Sequence, residues 1–267
     1  MRVVIIGGTG LIGGKLAGLL RGRGHDVVAA SRSTGVDALT GEGVAGAVAG
    51  AQVVVDVSNV RPSGPDAVVD YFTTAGTTLL GAEAEAGVAH HIALTIVGAD
   101  RMAESPYMKG KLAQEALIKA GRVPYTIVRA TQFFEFLPAI ADGGADGDTI
   151  RLPGVAFQPI AGDDVAAIVA DVVESTPSNE TVDIAGPDRA PMNELVALAL
   201  TEQGDSRKVI ADPAAKYFGA AVDDHSLVPL GEARIGSAHL AGWSRRLLSR
   251  TATIDPKPVA GTGNMKG

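Results

Sequence analysis

Apolar and polar residues fall into alternating blocks along the first half of the chain. Short continuous apolar runs, which are typical of parallel strands covered on both faces, are separated by longer stretches with helical spacing. The predicted strands are Val3–Ile6, Asp26–Ala30, Gln52–Val57, His91–Val97 and Tyr125–Arg129. The predicted helices are Leu11–Arg21, Pro65–Ala86 and Ser105–Ala120. This alternation predicts βα units and an α/β fold with a Rossmann-type, doubly wound parallel sheet.

The second half is less regular. The pattern there predicts helices and strands at Phe133–Ala141, Asp163–Glu174 (capped by Gly162 or Asp163), Thr181–Ala185, Pro191–Gln203, Val209–Ala211 and Ser237–Ser249. An abbreviated strand is expected at Gly35–Asp37, where the chain is rich in glycine and alanine. The proline- and glycine-rich stretch Asp255–Gly267 is expected to be a poorly ordered tail.

Three glycines follow the first strand at a spacing of three residues. Gly7 permits a tight turn, Gly10 lets the backbone approach a pyrophosphate, and Gly13 lets the next helix pack closely on the strand. The amides at the start of that helix then point at the phosphates. The pattern predicts a dinucleotide site over Gly7, Thr9, Gly10, Leu11 and Ile12, and we expect residues 1–132 to form the dinucleotide-binding core. Residues 133–267 are expected to form a smaller, irregular substrate-side portion, partly folded back to give one compact domain.

The end of the second strand indicates which dinucleotide is bound. A carboxylate there suits the ribose hydroxyls of NAD, whereas an arginine suits the additional phosphate of NADP. The chain has Ser31, Arg32 and Ser33 at this place and no acidic residue, so NADP(H) is preferred over NAD(H). Ser58 and Asn59 follow another strand at the same edge of the sheet and are further cofactor candidates, with ordinary turn chemistry as the alternative.

Tyr107 and Lys111 are one helical turn apart in the helix entered through Ser105 and Pro106. An ammonium beside a phenol favours the phenolate and lowers the phenol pKa, which would suit Tyr107 to proton transfer. The same lysine can hold the ribose hydroxyls of a nicotinamide nucleotide. Thr95, near the end of the preceding strand, is a candidate to bind the substrate oxygen. This predicted catalytic trio suits hydride transfer coupled to proton transfer.

Composition excludes several other classes of function. The formal net charge is −7, and no basic cluster is longer than Arg245-Arg246, so we expect no nucleic-acid partner. The chain has no cysteine, which excludes disulfides and thiolate catalysis and is typical of a reducing cytoplasm. The first strand starts at once and no apolar run reaches membrane-spanning length, so we expect a cytoplasmic protein without a membrane segment. No metal site is expected, because the spacing of the histidines does not suit one; they are His25, His90, His91, His225 and His239.

About residues 1–200 resemble the short-chain dehydrogenase/reductase superfamily, in its atypical, NmrA-like branch of NAD(P)H-binding proteins. The motifs that carry the resemblance are the glycine turn at residues 7–13, the run at 94–101, Tyr107-Met-Lys-Gly-Lys111 with Glu115, and the segment at 124–136. The resemblance implies that Tyr107 and Lys111 are an active pair and that Thr131 borders the cofactor. It also implies that the residues around the substrate include Gln132, Phe133, Phe134 and Phe136, although we expect at least one of these phenylalanines to belong to the core.

Together these features predict an NADP(H)-dependent oxidoreductase that reduces a carbonyl or an activated double bond of a small organic molecule. One alternative is a non-catalytic, NmrA-like regulator that senses the NADP/NADPH ratio. Another is an isomerase or epimerase that recycles its bound cofactor. The expected partner is a small-molecule substrate, and the oligomeric state is left open.

Overall fold

Parallel strands form the centre of the fold. The computed structural model describes residues 1–59, 65–102 and 104–243, and within them seven strands form one sheet whose neighbours are all parallel. In chain order the strands are β1 (Arg2–Ile6), β2 (Asp26–Ala30), β3 (Val53–Asp56), β4 (His90–Ile96), β5 (Tyr125–Ala130), β6 (Ala145–Asp146), β7 (Thr149–Leu152), β8 (Ala156–Phe157), β9 (Thr181–Ala185), β10 (Ala190–Pro191), β11 (Lys208–Ala211) and β12 (Ala233–Ile235). The large sheet has the order β2-β1-β3-β4-β5-β9-β12, which confirms the predicted Rossmann-type α/β architecture.

Helices cover both faces of this sheet. They are α1 (Leu11–Gly22), α2 (Val44–Val48), α3 (Pro65–Ala86), α4 (Pro106–Ala120), α5 (Leu137–Gly143), α6 (Gly162–Val173) and α7 (Met192–Gln203). Successive residues of β1 point to opposite faces: Val3 and Ile5 pack with α1 and α6, whereas Val4 and Ile6 pack with α2 and α3. Because β1 is buried on both sides, its sequence is continuously apolar rather than alternating.

The turn after β1 is packed at backbone distance against two neighbours. A Cβ on Gly7, whose φ is +80°, would lie 2.9 Å from the Ser58 Cα in the turn after β3. A Cβ on Gly13 would lie 2.3 Å from the Gly7 carbonyl oxygen. The turn after β1, the start of α1 and the turn after β3 can therefore meet only because these two positions lack side chains.

The predicted strand at Gly35–Asp37 is wrong. The chain leaves β2 through a 3₁₀ turn at Arg32–Thr34, so the sheet ends at β2 on this side. Gly35 has a φ of +80°, and the Asp37 carboxylate accepts a hydrogen bond from the Leu39 amide. Both features fold the segment into turns and prevent an extended conformation.

The second half adds strands to the large sheet and builds a core of its own. β9 and β12 continue the sheet beyond β5, while β6, β7 and β11 form one small sheet and β8 and β10 another. The second core contains Phe134, Phe157 and Trp243 together with apolar side chains of α5 and α7. The division of the chain at residue 132 stays a prediction.

Three predicted elements of the second half need correction. The expected helix at Phe133–Ala141 is a 3₁₀ turn at Phe134–Phe136 followed by α5. The helix α6 has Ala161 at its N-cap and no side-chain cap; Asp163 instead pairs with Lys15. The expected helix at Ser237–Ser249 is absent over 237–242, where Asp164 and Asp188 hold backbone amides in turns. Residues 244–249 and the expected tail at Asp255–Gly267 lie outside the described residues.

Within the described ranges, no helix is long and apolar enough to cross a membrane. The same residues contain no group of three or more histidine, aspartate or glutamate side chains that could hold a metal ion.

The close backbone packing predicts opposite effects for two adjacent glycines. We expect Gly13→Ala to lower the free energy of unfolding by about 1–3 kcal/mol, because the new Cβ overlaps the Gly7 carbonyl. The matched control is Gly14→Ala, where no heavy atom lies within 4 Å of the new Cβ. This control should raise the free energy of unfolding by up to about 1 kcal/mol through its better helix propensity. Urea unfolding measures both, and equal effects would contradict the packing described here.

Candidate active site

The order in which the chain adds strands to the sheet reverses between β1 and β3. From β1 the chain goes to β2 at one edge, whereas β3 and β4 lie on the other side of β1. In open parallel sheets the crevice at such a switch point, outside the carboxyl ends of the strands, is where ligands bind. Here that crevice is a cleft of about 1160 Å³, which is at the upper end of the range for ligand pockets.

The start of α1 faces this cleft with uncapped amides. Gly10 is the N-cap residue and supplies no side-chain hydrogen bond. The turn is held by its own backbone: the Gly7 amide donates to the Ala30 carbonyl at 2.9 Å and the Gly10 amide to the Gly7 carbonyl at 2.9 Å. The first amides of a helix without a capping side chain are an anion site.

The cleft brings together all the residues that the sequence assigned to a cofactor. They are Gly7, Thr9, Gly10, Leu11, Ile12, Ser31, Arg32, Ser33, Ser58, Asn59, Lys111 and Thr131. Arg32 is exposed at the end of β2, and the Ser31 and Ser33 hydroxyls are 2.8 Å apart beside it. Their role toward a ligand stays a prediction, but the geometry agrees with it.

Tyr107 and Lys111 also line the cleft, in the first turns of α4. The Tyr107 hydroxyl donates to the Asn59 Oδ1 at 2.8 Å. Burial raises the pKa of Tyr107 to about 12 and outweighs the effect of the Asn59 hydrogen bond. The expectation that Lys111 lowers the Tyr107 pKa is therefore wrong for this structure. The phenol is protonated at neutral pH.

The Lys111 ammonium is buried and bonded to other groups. Its Nζ donates to the Leu94 carbonyl at 3.2 Å and to the Gln114 Oε1 at 3.0 Å, and it lies 4.3 Å from the centre of the Phe72 ring. Burial lowers the pKa of Lys111 to about 8, against the opposing effect of the Asp56 and Glu115 carboxylates. Lys111 is thus a cation at neutral pH, but it loses its proton at a pH only slightly higher.

Thr95 lines the cleft, but its hydroxyl proton already has a partner. Its Oγ1 donates to the Glu115 Oε1 at 2.8 Å. Glu115 is also bound in a bidentate pair by Arg129, at 2.8 and 2.7 Å. Thr95 can therefore offer a substrate the lone pairs of its oxygen, while the proton stays with Glu115. Its role toward a substrate remains a prediction.

The segment after β5 divides between the cleft and the core. Gln132 and Phe133 line the cleft, as predicted, and the Phe133 ring stacks on Phe136 at 5.5 Å. Phe134 does not line the cleft: it is fully buried, edge-on to Trp243 at 5.2 Å, so its assignment to the substrate is wrong. The 3₁₀ turn at 134–136 rotates successive side chains to different sides, which sends Phe134 into the second core.

Two buried polar side chains of this segment have no partner in the described structure. Neither the amide nitrogen nor the amide oxygen of Gln132 is hydrogen-bonded, although the residue is only 8% exposed. The Thr131 hydroxyl likewise has no partner. Buried polar atoms are rarely left unpaired, but these atoms are also closed off from solvent, so a ligand in the cleft would reach them only after the side chains turn toward it.

Sequence reasoning missed several aromatic and apolar residues of the cleft. They are Tyr71, Met102, Met108, Tyr217 and Phe218. The rings of Tyr217 and Phe218 contact each other at 4.9 Å, and the backbone of Phe218 has a φ of +45°. Burial and the nearby Tyr107 raise the pKa of the Tyr217 phenol. Two adjacent aromatic residues in a loop of mostly small residues were the available indication, but nothing in the neighbouring sequence connects that loop to the cleft.

The adjacent histidines after the third helix are structural. His90 contacts the Thr126 hydroxyl at 2.9 Å, whereas His91 contacts the Glu83 carboxylate at 2.9 Å. They point to opposite faces of β4, as the strand alternation predicted.

Comparisons with known proteins add a distant relationship. No family model matches the chain. The chain is 30% identical over 224 residues to a divinyl chlorophyllide a 8-vinyl-reductase, chloroplastic, from Zea mays. The alignment covers 70% of this chain and 55% of the maize protein, so the chain spans little more than half the length of that relative.

Solved structures with the same fold include two reductases. A dTDP-4-dehydrorhamnose reductase from Clostridium acetobutylicum matches with a TM-score of 0.69 and 15% identity, over 95% of this chain and 100% of the other. The Citrobacter sp. triphenylmethane reductase complexed with NADP(H) matches with a TM-score of 0.59 and 20% identity, over 80% of each chain. At these identities the likeness shows the fold. It does not single out the NmrA-like branch.

The burial of Tyr107 gives a direct spectroscopic prediction. The chain has four tyrosines, and subtracting the phenolate absorbance of Tyr107→Phe from that of the wild type isolates Tyr107. Because burial holds its pKa at about 12, the difference should show almost no phenolate from about pH 9 to about pH 11. A midpoint at or below the ordinary tyrosine value would contradict the geometry and restore the original expectation.

Proposed function

We propose that the protein is an NADP(H)-dependent oxidoreductase of the short-chain dehydrogenase/reductase type, in the NmrA-like branch, acting on a small organic molecule. The reaction is the reduction of a carbonyl or of an activated double bond. The observation that carries the proposal is the meeting of the glycine turn, the Tyr107–Asn59 hydrogen bond and the Lys111 ammonium in one cleft. A binding protein without chemistry could use the glycine turn and the lysine to hold the nucleotide, but it has no use for a protonated phenol beside them.

The residues present fit a dinucleotide. Gly7 and Gly13 let the turn after β1 and the start of α1 pack at backbone distance, and the uncapped amides of α1 line the cleft beside them. At one end of the cleft, Arg32 with Ser31 and Ser33 would hold the additional phosphate of NADP(H). At the other end, Thr131 lines the cleft, and its buried hydroxyl would reach the cofactor only after the side chain turns. The preference for NADP(H) over NAD(H) is part of the proposal.

The chemistry at the other end of the cleft is reduction coupled to protonation. A bound nicotinamide nucleotide supplies the hydride. Tyr107 gives its hydroxyl proton to the oxygen or carbon that becomes negative, releasing its bond to Asn59 as the substrate replaces that acceptor. The phenol is protonated at neutral pH, so Tyr107 has this proton available for the substrate.

Lys111 and Gln132 have supporting roles in this proposal. The Lys111 ammonium holds ribose hydroxyls of the cofactor beside Tyr107. Gln132 lines the cleft beside Phe133 and binds a polar group of the substrate once its buried amide turns toward the cleft. Thr95 offers its oxygen to the substrate from the end of β4.

The names of the similar proteins support reduction as the reaction class. The maize relative is named a vinyl-reductase, and both structural neighbours are named reductases, one of them complexed with NADP(H). These names do not supply a substrate for this chain.

The phosphate assignment predicts a selective loss of affinity. Arg32→Ala should weaken NADPH binding about ten- to hundredfold, since a hydrogen bond to a charged group contributes about 1.5–3 kcal/mol. NADH binding should hardly change. Arg122→Ala, an exposed arginine outside the cleft, is the matched control and should leave both affinities alone. Calorimetric titration gives the affinities, and a wild type without preference for NADPH would contradict the assignment.

The proton-donor role predicts a loss of turnover without loss of cofactor. On a carbonyl or enone that the wild type reduces, Tyr107→Phe should lower kcat about 10²–10⁴-fold while NADPH still binds. Tyr125→Phe, at the start of β5 and outside the cleft, is the control. NADPH absorbance follows the reaction.

Three results would overturn the proposal. Equal rates for Tyr107→Phe and the wild type would contradict the proton-donor role. NADPH binding with no reduction of any compound in a broad panel would favour a regulator. Conversion of substrate without net NADPH oxidation would favour an isomerase that recycles its cofactor.

A further inference from the structure

A buried carboxylate at the end of β3 belongs to none of the roles assigned so far. Asp56 is 5% exposed, and no ion pair joins it directly to a cation within the described residues. Its Oδ1 accepts a hydrogen bond from the Ser58 amide at 2.9 Å, and its Oδ2 accepts one from the Gln114 Nε2 at 2.8 Å. A buried charge held only by neutral donors is costly, so its position calls for an explanation.

Gln114 connects this carboxylate to the Lys111 ammonium. The two ends of its amide are not equivalent: Nε2 donates to Asp56, and Oε1 accepts from the Lys111 Nζ at 3.0 Å. Because an ionised aspartate only accepts hydrogen bonds and an ammonium only donates them, this is the one orientation that satisfies both. Asp56 therefore determines which end of the Gln114 amide faces Lys111.

The surroundings of Lys111 leave Asp56 as its principal counter-charge. The carboxylates that act on Lys111 are Asp56 on β3 and Glu115 on α4. Glu115 is already held in a bidentate pair by Arg129. From α3 the ammonium meets the Phe72 ring, and from β4 the Leu94 carbonyl. Two of the three ammonium protons thus have acceptors within the protein.

The second oxygen of Asp56 acts on the other member of the pair. By accepting the Ser58 amide, Asp56 fixes the turn that follows β3. The next residue in that turn is Asn59, whose Oδ1 accepts a hydrogen bond from the Tyr107 hydroxyl. Asp56 is therefore connected to Lys111 through the Gln114 amide, and to Tyr107 through the Ser58–Asn59 turn.

We propose that Asp56 is a positioning residue that orients Lys111 through Gln114 and Tyr107 through the Ser58–Asn59 turn. The description of these two groups as catalytic rests on the proposed function. The hydrogen-bonded connection itself does not, and it can be tested without turnover.

The test is Asp56→Asn, with the pKa of Lys111 measured directly. An asparagine has no charge and cannot accept from both Ser58 and Gln114, so the ammonium loses its counter-charge and the fixed orientation of Gln114. The Lys111 pKa should fall from about 8 by about one unit or more, the usual effect of losing a nearby opposite charge. ¹³C NMR of protein labelled at the lysine ε-carbons, without any nucleotide, gives the titration, and Lys111→Arg assigns the resonance.

Two further variants make the result specific. In the double variant Asp56→Asn with Gln114→Glu, a carboxylate next to Lys111 accepts from both the asparagine and the ammonium, so the pKa should return at least to the wild-type value. The control is Glu83→Gln, which removes a carboxylate on α3 that is equally buried but bonded to His91. It should leave the Lys111 pKa where it is.

The inference is overturned if Asp56→Asn leaves the Lys111 pKa unmoved, or if Glu83→Gln lowers it as much. Should Asp56→Asn not fold, Asp56→Ser removes the same charge with a smaller side chain and leaves the bond between Gln114 and Lys111 available. A lowered Lys111 pKa in that variant supports the proposal, and an unchanged one contradicts it. Absence of turnover in the wild type would defeat the proposed function but would not affect this measurement.

Discussion

The close approach of backbone at Gly7 and Gly13 is the constraint on which the rest of the site depends. The turn after β1, the start of α1 and the turn after β3 occupy one small volume, where a side chain would collide with a neighbouring backbone atom. This contact brings the uncapped amides of α1 beside Ser58 and Asn59, at the point where the sheet changes direction. The cleft is open there because no side chain of the turn fills it.

Burial sets the chemistry at the other end of the cleft. It acts on Tyr107 and Lys111 in the direction of the neutral form of each, raising one pKa to about 12 and lowering the other to about 8. The phenol therefore keeps its proton, and the ammonium keeps its charge only with the help of carboxylates. Asp56 provides that help through the Gln114 amide instead of a direct ion pair.

The sequence was informative where function depends on a local pattern with fixed spacing. The glycine turn, Ser31-Arg32-Ser33 and the Tyr107–Lys111 pair each stand at the end of a predicted strand or the start of a helix, so their meeting at one edge of the sheet could be expected. Contacts between residues far apart in the chain could not be expected from such patterns. Asn59, which accepts the hydrogen bond from the Tyr107 hydroxyl, is 48 residues away in the chain, and Gln114 is 58 residues from Asp56.

The burial of individual side chains was the other property that the sequence pattern could not predict. Tyr107 and Lys111 were expected to act on each other because they are neighbours on a helix, but the structure gives each its own partners and a desolvated environment. Phe134 resembles Phe133 and Phe136 in sequence, and only the 3₁₀ turn sends it into the core beside Trp243. The predicted strand at Gly35–Asp37 does not form, because Gly35 adopts a left-handed backbone conformation and the chain turns there.

The central claim is that the glycine turn and the Tyr107–Lys111 pair serve the two ends of one bound dinucleotide. A crystal structure of the protein with NADP⁺ tests it most directly. We expect the pyrophosphate on the amides of Leu11 and Ile12, the additional phosphate at Arg32, and the nicotinamide ring beside the Tyr107 hydroxyl. A nucleotide bound elsewhere, or one whose nicotinamide ring lies away from Tyr107 and Lys111, would contradict the account.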